Sequence, residues 1–252
     1  MHKIKTYSRF ILNYYSVKKY NDNAYKLTVC KYPVKNFGFE EGGIKQNRNI
    51  NDNKLYNNLI RAKMKVFEYS MCNNFEYFVT LTLSPEKYDR YNLTKFIKDL
   101  GQFIRDYRKK NSVNIQYLLI PEQHENGAWH MHGLMKGIPE EHLVLNDNGY
   151  KDWKAYSEKF GYMSIDNIRN QEAVSKYITK YISKSIDVGK GVTEKNKKLY
   201  YASRGLKTAE IIKKGMLSAV EIESIPWQFE NDYVKTVMLS NEDLKKVIDI
   251  IK

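Results

Sequence analysis

The chain has 252 residues, with 42 Lys and Arg against 29 Asp and Glu and a formal net charge of +13. Its 42% hydrophobic content excludes wholesale disorder, and it holds no run of the ~18 apolar residues that a spanning helix needs. The basic excess suits a polyanionic partner, bound by counterion release. It equally suits plain solubility, in a composition rich in Lys, Asn, Ile and Tyr. Twenty-one tyrosines add aromatic faces on which the bases of a single strand stack. Cys30 and Cys72 have no metal-type spacing and fit a reduced, intracellular protein. The first twenty residues lack the uninterrupted apolar core of a secretory signal, so a cytoplasmic location is expected.

Length favours one domain with appendages. Residues 25–32 suit a strand, followed by a Gly-rich turn around Gly42 and Gly43. Residues 51–73 suit a helix, with Leu55, Leu59, Ala62, Val66 and Tyr69 at helical spacing. In "EYFVTLTL", Val79, Leu81 and Leu83 alternate with Phe78, Thr80 and Thr82, which is strand periodicity ended by Ser84-Pro85. Residues 92–110 form a second helix along Leu93, Phe96, Leu100, Phe103 and Ile104. The arms "IQYLLIPEQ" and "WHMHGLMKG" make a hairpin around "HENGA". Residues 138–161 read as a polar excursion, and "YMSIDNI" as another strand. "NQEAVSKYITKYISKS" is a helix capped by Asn170. The basic stretch 190–198 reads as a mobile loop, "LYYASRGLK" and "AVEIESIPW" as strands, and 241–252 as a closing helix. No G-x-x-x-x-G-K-[ST] occurs, so no ATP-driven helicase is expected.

His130 and His132 stand two apart on a strand and point to one side. Alone, an H-x-H is as well explained by a solvent-facing strand. The turn decides more. With Glu125-Asn126-Gly127 as a three-residue loop and Gly127 left-handed, Glu122 falls opposite His130 and shares the face of both imidazoles. A two-residue Asn-Gly loop would instead set Gln123 opposite His130 and send Glu122 to the other face. Two imidazoles and a carboxylate leave open coordination positions, as a catalytic cation requires. His124 competes from the loop end of the same face and is read as a loop histidine.

On the helix carrying "KYITKYISK", Tyr181 lies roughly 40° from Tyr177, with Lys184 and Lys180 roughly 20° and 60° to the other side. Val174, Ile178, Ile182 and Ile186 fill the adjoining apolar face. A phenol used as a nucleophile needs its high pKa overcome and a phosphate held nearby, and flanking ammoniums serve both ends. The competing reading makes the tyrosines packing residues at the edge of the apolar face and the lysines solvated.

Taken together, "FVTLTL", "WHMHGLM" with Glu122 upstream, and Tyr177, Lys180, Tyr181 and Lys184 as Y-x-x-K-Y-x-x-K resemble the HUH endonucleases. Closer still is the resemblance to two-tyrosine rolling-circle initiators of single-stranded-DNA phages and plasmids. It spans roughly residues 60–207, and "YYASRGLK" is similar to a flanking segment of phage initiators. It implies an α+β fold with a central antiparallel sheet of about five strands, the histidine strand in the middle and helices on the other side. The fold would be one domain over 1–252, with 1–55 and 208–252 as extensions. It implies Mg²⁺ or Mn²⁺ on Glu122, His130 and His132, and attack by Tyr177 or Tyr181 that leaves a 5′-phosphotyrosine and a free 3′-OH. Lys180 or Lys184 would hold the phosphate, and the second tyrosine would close the round. Thr80 and Thr82 would line the DNA groove, with Arg204 and Lys207 as further phosphate contacts. Implied partners are single-stranded or hairpin origin DNA, a host polymerase and a host helicase in a bacterial cell, and no membrane. A zinc hydrolase fits the donor set but lacks H-E-x-x-H and leaves the tyrosines unexplained. A non-catalytic origin-binding protein also competes, as does a transposase or relaxase of the same superfamily.

Overall fold

The computed structural model describes residues 10–35, 52–146, 149–187 and 198–251. The expected Gly-rich turn at 42–43 and most of the basic loop at 190–198 lie outside them. The chain is mixed α and β with antiparallel sheets, and its contacts divide it into two compact units, one of residues 51–207 and one of residues 1–50 with 208–252. The flanks, expected as extensions of a single domain, thus form a unit with its own sheet and core. Among the described residues no helix is long and apolar enough to cross a membrane.

The 51–207 unit begins with α1 (Asp52–Cys72), β1 (Tyr77–Thr82) and α2 (Leu93–Asn111). The hairpin follows as β2 (Gln116–Gln123) and β3 (Trp129–Lys136), then β4 (Leu143–Leu145), β5 (Lys151–Trp153), α3 (Lys154–Lys159) and β6 (Met163–Asn167). It ends with α4 (Gln171–Asp187) and β7 (Tyr201–Ala202). One antiparallel sheet takes the order β7-β2-β3-β1-β6-β5-β4. The expected sheet of about five strands therefore has seven, three of them only two or three residues long. Two of the extra strands come from 138–161, which is no polar excursion. Trp153, Tyr156 and Phe160 are fully buried there, on the face covered by Phe96, Leu100 and Phe103 of α2.

Helices lie on both faces of this sheet, not on one. Leu118, Leu119 and Ile120 are successive and all fully buried, so β2 is apolar on both sides and both must be covered. Leu119 belongs to the α2 side with Val79, Leu81 and Met131. Leu118, Ile120 and Leu134 belong to the other side, where Val66 of α1 and Ile178 and Ile182 of α4 pack on them. Even residues of β3 face this second layer, so the histidine face is also the face of the tyrosine helix. A buried hydrogen bond of 2.6 Å between Ser70 and Ser175, and one from the Gln171 amide to the Ser70 carbonyl, tie α4 to α1.

The other unit pairs Glu210–Met216, Tyr14–Asn21, Ala24–Cys30, Val234–Leu239 and Phe229–Glu230, in that order, as an antiparallel sheet. Val17, Leu27 and Val29 pack on Val237, Leu239, Leu244 and Val247, the last two from the helix Asn241–Ile250. The segment "AVEIESIPW", expected as a strand, is instead a helix at Ala219–Ser224. Ser218 accepts from the Glu221 N–H while the Glu221 carboxylate accepts from the Ser218 N–H, and this capping box outweighs the alternation of Val220 and Ile222.

Gly133 marks the closest approach of the hairpin arms. A Cβ there would press on the Leu119 side chain and lie 2.5 Å from the Leu118 carbonyl oxygen. The backbone of a well-packed strand has to move to admit it. Gly133→Ala is therefore expected to lower stability by about 2 kcal/mol, read as a lower urea midpoint at unchanged slope.

Candidate active site

The site is built from the hairpin turn outward. Gly127 has φ +84 and lets the chain turn in three residues. Its N–H donates to the His124 carbonyl at 2.8 Å, and the His124 N–H donates to the Ala128 carbonyl at 2.9 Å. Glu122 then pairs opposite His130, the register expected from a left-handed Gly127. On the far side of β3, β1 sets Thr80 opposite His132 and Thr82 opposite His130.

These pairings converge side chains on one face. The Glu122 Oε2 lies 2.6 Å from the His132 Nε2. Thr80 Oγ1 is 3.1 Å from His132 Nδ1, and Thr82 Oγ1 is 3.2 Å from His130 Nδ1. Thr80 and Thr82, expected as groove-lining contacts, thus hold the imidazoles. The exposed ring of His124 lies 3.9 Å from that of His130, so this histidine is nearer the site than a loop residue would be. Burial, aided by the neighbouring His124, His132 and Arg90 and opposed by Glu122, pulls the His130 pKa down to about 4. Its ring is therefore neutral at pH 7, as a metal ligand must be.

Glu122 lies directly against His132 and His130 against His124. Among the described residues, no three His, Cys, Asp or Glu side chains stand spaced as the ligands of one ion. The donor chemistry nonetheless fits a divalent cation. With each Nδ1 occupied by a threonine hydroxyl, both Nε2 atoms turn toward the Glu122 carboxylate side, the outer-shell arrangement that orients imidazole ligands.

Helix α4 brings in the tyrosines. Asn170 caps it, its side chain accepting from the Ala173 N–H at 2.9 Å. Ile178 and Ile182 dock the helix on the sheet, and this sets the azimuth of its phenols. Tyr181 is 7% exposed and stacks on His132, with ring centroids 4.0 Å apart and an interplanar angle of 18°. Tyr177 is 43% exposed, and its hydroxyl lies 2.8 Å from that of Tyr181. Burial first, then the bond with Tyr177 and the charge of Glu122, raise the Tyr181 pKa and keep this phenol protonated. Half-buried Phe78 meets both tyrosine rings, at 5.4 Å and 6.3 Å.

Of the expected cations, Lys180 sits with its Nζ 5.4 Å over the Tyr177 ring. Lys184 continues the helix, and its side chain lies outside the described part. Arg204 and Lys207 are not brought to the site. The Arg204 carbonyl accepts from Gln116, at the opposite end of β2 from Glu122, roughly 20 Å along the strand. Lys207 is pinned through its backbone to Asn73. The sequence reading missed Arg90, whose charge acts on His130, and Phe78. Alternation placed Phe78 on the threonine face, but only the docking of α4 puts it under the tyrosines.

No curated protein and no solved structure gives a significant match to the chain. Residues 76–186, which run from β1 through the histidine strand to the tyrosine helix, match the family model of replication-associated proteins of the ORF2 type, so this stretch is similar to the replication-associated proteins of that family.

Proposed function

We propose that the chain is a rolling-circle replication initiator of the HUH endonuclease superfamily, of the two-tyrosine type, which nicks single-stranded or hairpin origin DNA. One observation carries this reading. The tyrosine pair and the histidine strand, 45 residues apart at His132 and Tyr177 by numbering, meet in a single cluster, with Tyr181 stacked on His132 and its hydroxyl bonded to that of Tyr177. A packing tyrosine has no need of that neighbour. The similarity of residues 76–186 to replication-associated proteins points the same way.

In this reading Glu122, His130 and His132 hold Mg²⁺ or Mn²⁺, which supplies Lewis-acid polarisation of the scissile phosphate. Thr80 and Thr82 fix the rings that present the donors. A phenol oxygen attacks phosphorus, the bond to the 3′ oxygen breaks, and the proton given up by the phenol is balanced by the one taken up at the released 3′-OH. The product is a 5′-phosphotyrosine. Tyr177, the exposed phenol, is reached by a strand without rearrangement and makes the first attack. Tyr181, covered and held protonated, serves once the contact with Tyr177 opens, and so makes the later attack that rejoins strands. Lys180 lies where it lowers the cost of negative charge on the Tyr177 oxygen. A host helicase and polymerase would extend the free 3′-OH.

Covalent adducts on a labelled origin oligonucleotide, resolved on denaturing gels, test the nucleophile. Tyr177→Phe is expected to lower first-round adduct formation at least ~100-fold, the scale of losing a positioned catalytic group. Tyr181→Phe should leave the first adduct within ~5-fold of the unsubstituted protein, and both variants should fail in strand transfer. An adduct surviving in the double variant would overturn the assignment.

Metal dependence has its own readout. Calorimetric titration of the chelated protein with Mn²⁺ should show one site, and EDTA should abolish cleavage. Thr80→Val should weaken Mn²⁺ about 10-fold, because the His132 ring loses its outer-shell partner. Undiminished cleavage in EDTA, or unchanged affinity in Thr80→Val, would count against this arrangement.

A further inference from the structure

A cavity of about 540 Å³ opens beside the tyrosine pair, between β1, the segment after β6 and the first turns of α4. It plays no part in the chemistry described so far. Its size is that of a site for one small organic ligand. Phe78 and Tyr177 form one corner of it, their rings 5.4 Å apart at an interplanar angle of 62°. Val174 adds apolar surface, and Arg169, Lys176 and Lys180 bring positive charge to the rim. Lys176 is paired with Glu172 at 2.6 Å. Arg169 is exposed and makes no ion pair or hydrogen bond among the described residues. No acidic side chain lines the cavity.

Aromatic surface at the back and unopposed cations at the mouth match one chemistry. A nucleobase has a flat π-face that stacks on an aromatic ring whatever its sequence, and its phosphate carries the charge that Arg169 and Lys180 lack a partner for. The cavity also shares Tyr177 with the reacting pair, so its occupant adjoins whatever that phenol attacks. We propose that this cavity is a subsite for one unpaired nucleotide of the substrate strand, next to the scissile phosphate. The base stacks in the Phe78–Tyr177 corner, and the phosphate sits between Arg169 and Lys180. The proposal rests on the single-strand nicking reading and gives it a positioning device. A base seated beside Tyr177 holds the neighbouring phosphate in reach of that phenol, which a basic surface alone does not do. Phe78 and Arg169 are positioning residues here.

The test is binding without chemistry, in EDTA, by fluorescence anisotropy. Two probes are used: a short oligothymidylate, and an abasic deoxyribose-phosphate oligomer of the same length and charge. The unsubstituted protein should prefer the oligothymidylate about 10-fold, the scale of one stacked base. Phe78→Leu keeps an apolar side chain against its neighbours but removes the ring. It should lose most of that preference while binding the abasic oligomer as before. Arg169→Gln, at an exposed position, should weaken both probes alike and lower the magnitude of the log–log salt slope by about 1. An unchanged preference in Phe78→Leu, or an unchanged salt slope in Arg169→Gln, overturns the subsite. Covalent adduct formation by the unsubstituted protein is scored separately. An adduct with those flat results removes the subsite and leaves the nicking function standing. Binding to neither probe, with no adduct, removes both.

Discussion

The register of the β2–β3 hairpin is the constraint on which the rest of the site depends. Because side chains alternate along a strand, a slip of one residue would carry Glu122 to the far face of the sheet. Gly127 prevents this by taking a backbone conformation that places three residues in the loop and Glu122 opposite His130. The pairing of β1 on the other edge of β3 then sets Thr80 and Thr82 against the two imidazoles without any freedom of their own. The close seat of Gly133 against Leu118 and Leu119 keeps the arms from sliding.

The second half of the site is fixed by burial rather than by pairing. Ile178 and Ile182 occupy the apolar patch left by Leu118, Ile120 and Leu134. A helix docked by those two side chains has its phenols already turned toward the histidine strand, so Tyr181 lands on His132 as a consequence of core packing. The same packing governs the electrostatics. Burial depresses the protonation of His130 and raises the pKa of Tyr181, so at neutral pH the face presents an uncharged donor ring and a protonated phenol beside one carboxylate. Positive charge enters from the rim, through Arg90 near the hairpin and Arg169 and Lys180 near α4. A strand of nucleic acid crossing the face would meet cations at both ends and aromatic rings between them.

Most of the site-bearing elements were legible because their signals are local. The periods of α2 and α4, the alternation of β1, and the Asn-Gly turn each lie within twenty residues or so, and their boundaries hold to within one or two residues. Three things were not legible. The 143–160 region hides a hairpin and a short helix among Asp, Glu and Lys, and only the position of Trp153, Tyr156 and Phe160 over α2 shows that it completes the core. The segment 219–224 has strand-like alternation that a capping box overrides. The pairing of 14–21 and 24–30 with strands from the far end of the chain is a contact over some two hundred residues, for which no local pattern exists.

The sequence by itself determined which residues are chemically capable: His130 and His132 on one side of a strand, Glu122 within reach through its turn, and two phenols one helical turn apart beside an aliphatic stripe. Those follow from fixed periodicities and turn stereochemistry, which act over a few residues. Only the tertiary structure decided how they share the work. It engaged Thr80 and Thr82 on the imidazoles, set Tyr177 exposed and Tyr181 covered, brought Phe78 beneath both, and left Arg204 and Lys207 at the far end of the hairpin. The reason is physical. Exposure, ring stacking and charge proximity arise between elements distant in sequence, and they are set by which apolar faces cover one another once α1, α2 and α4 have packed on the sheet.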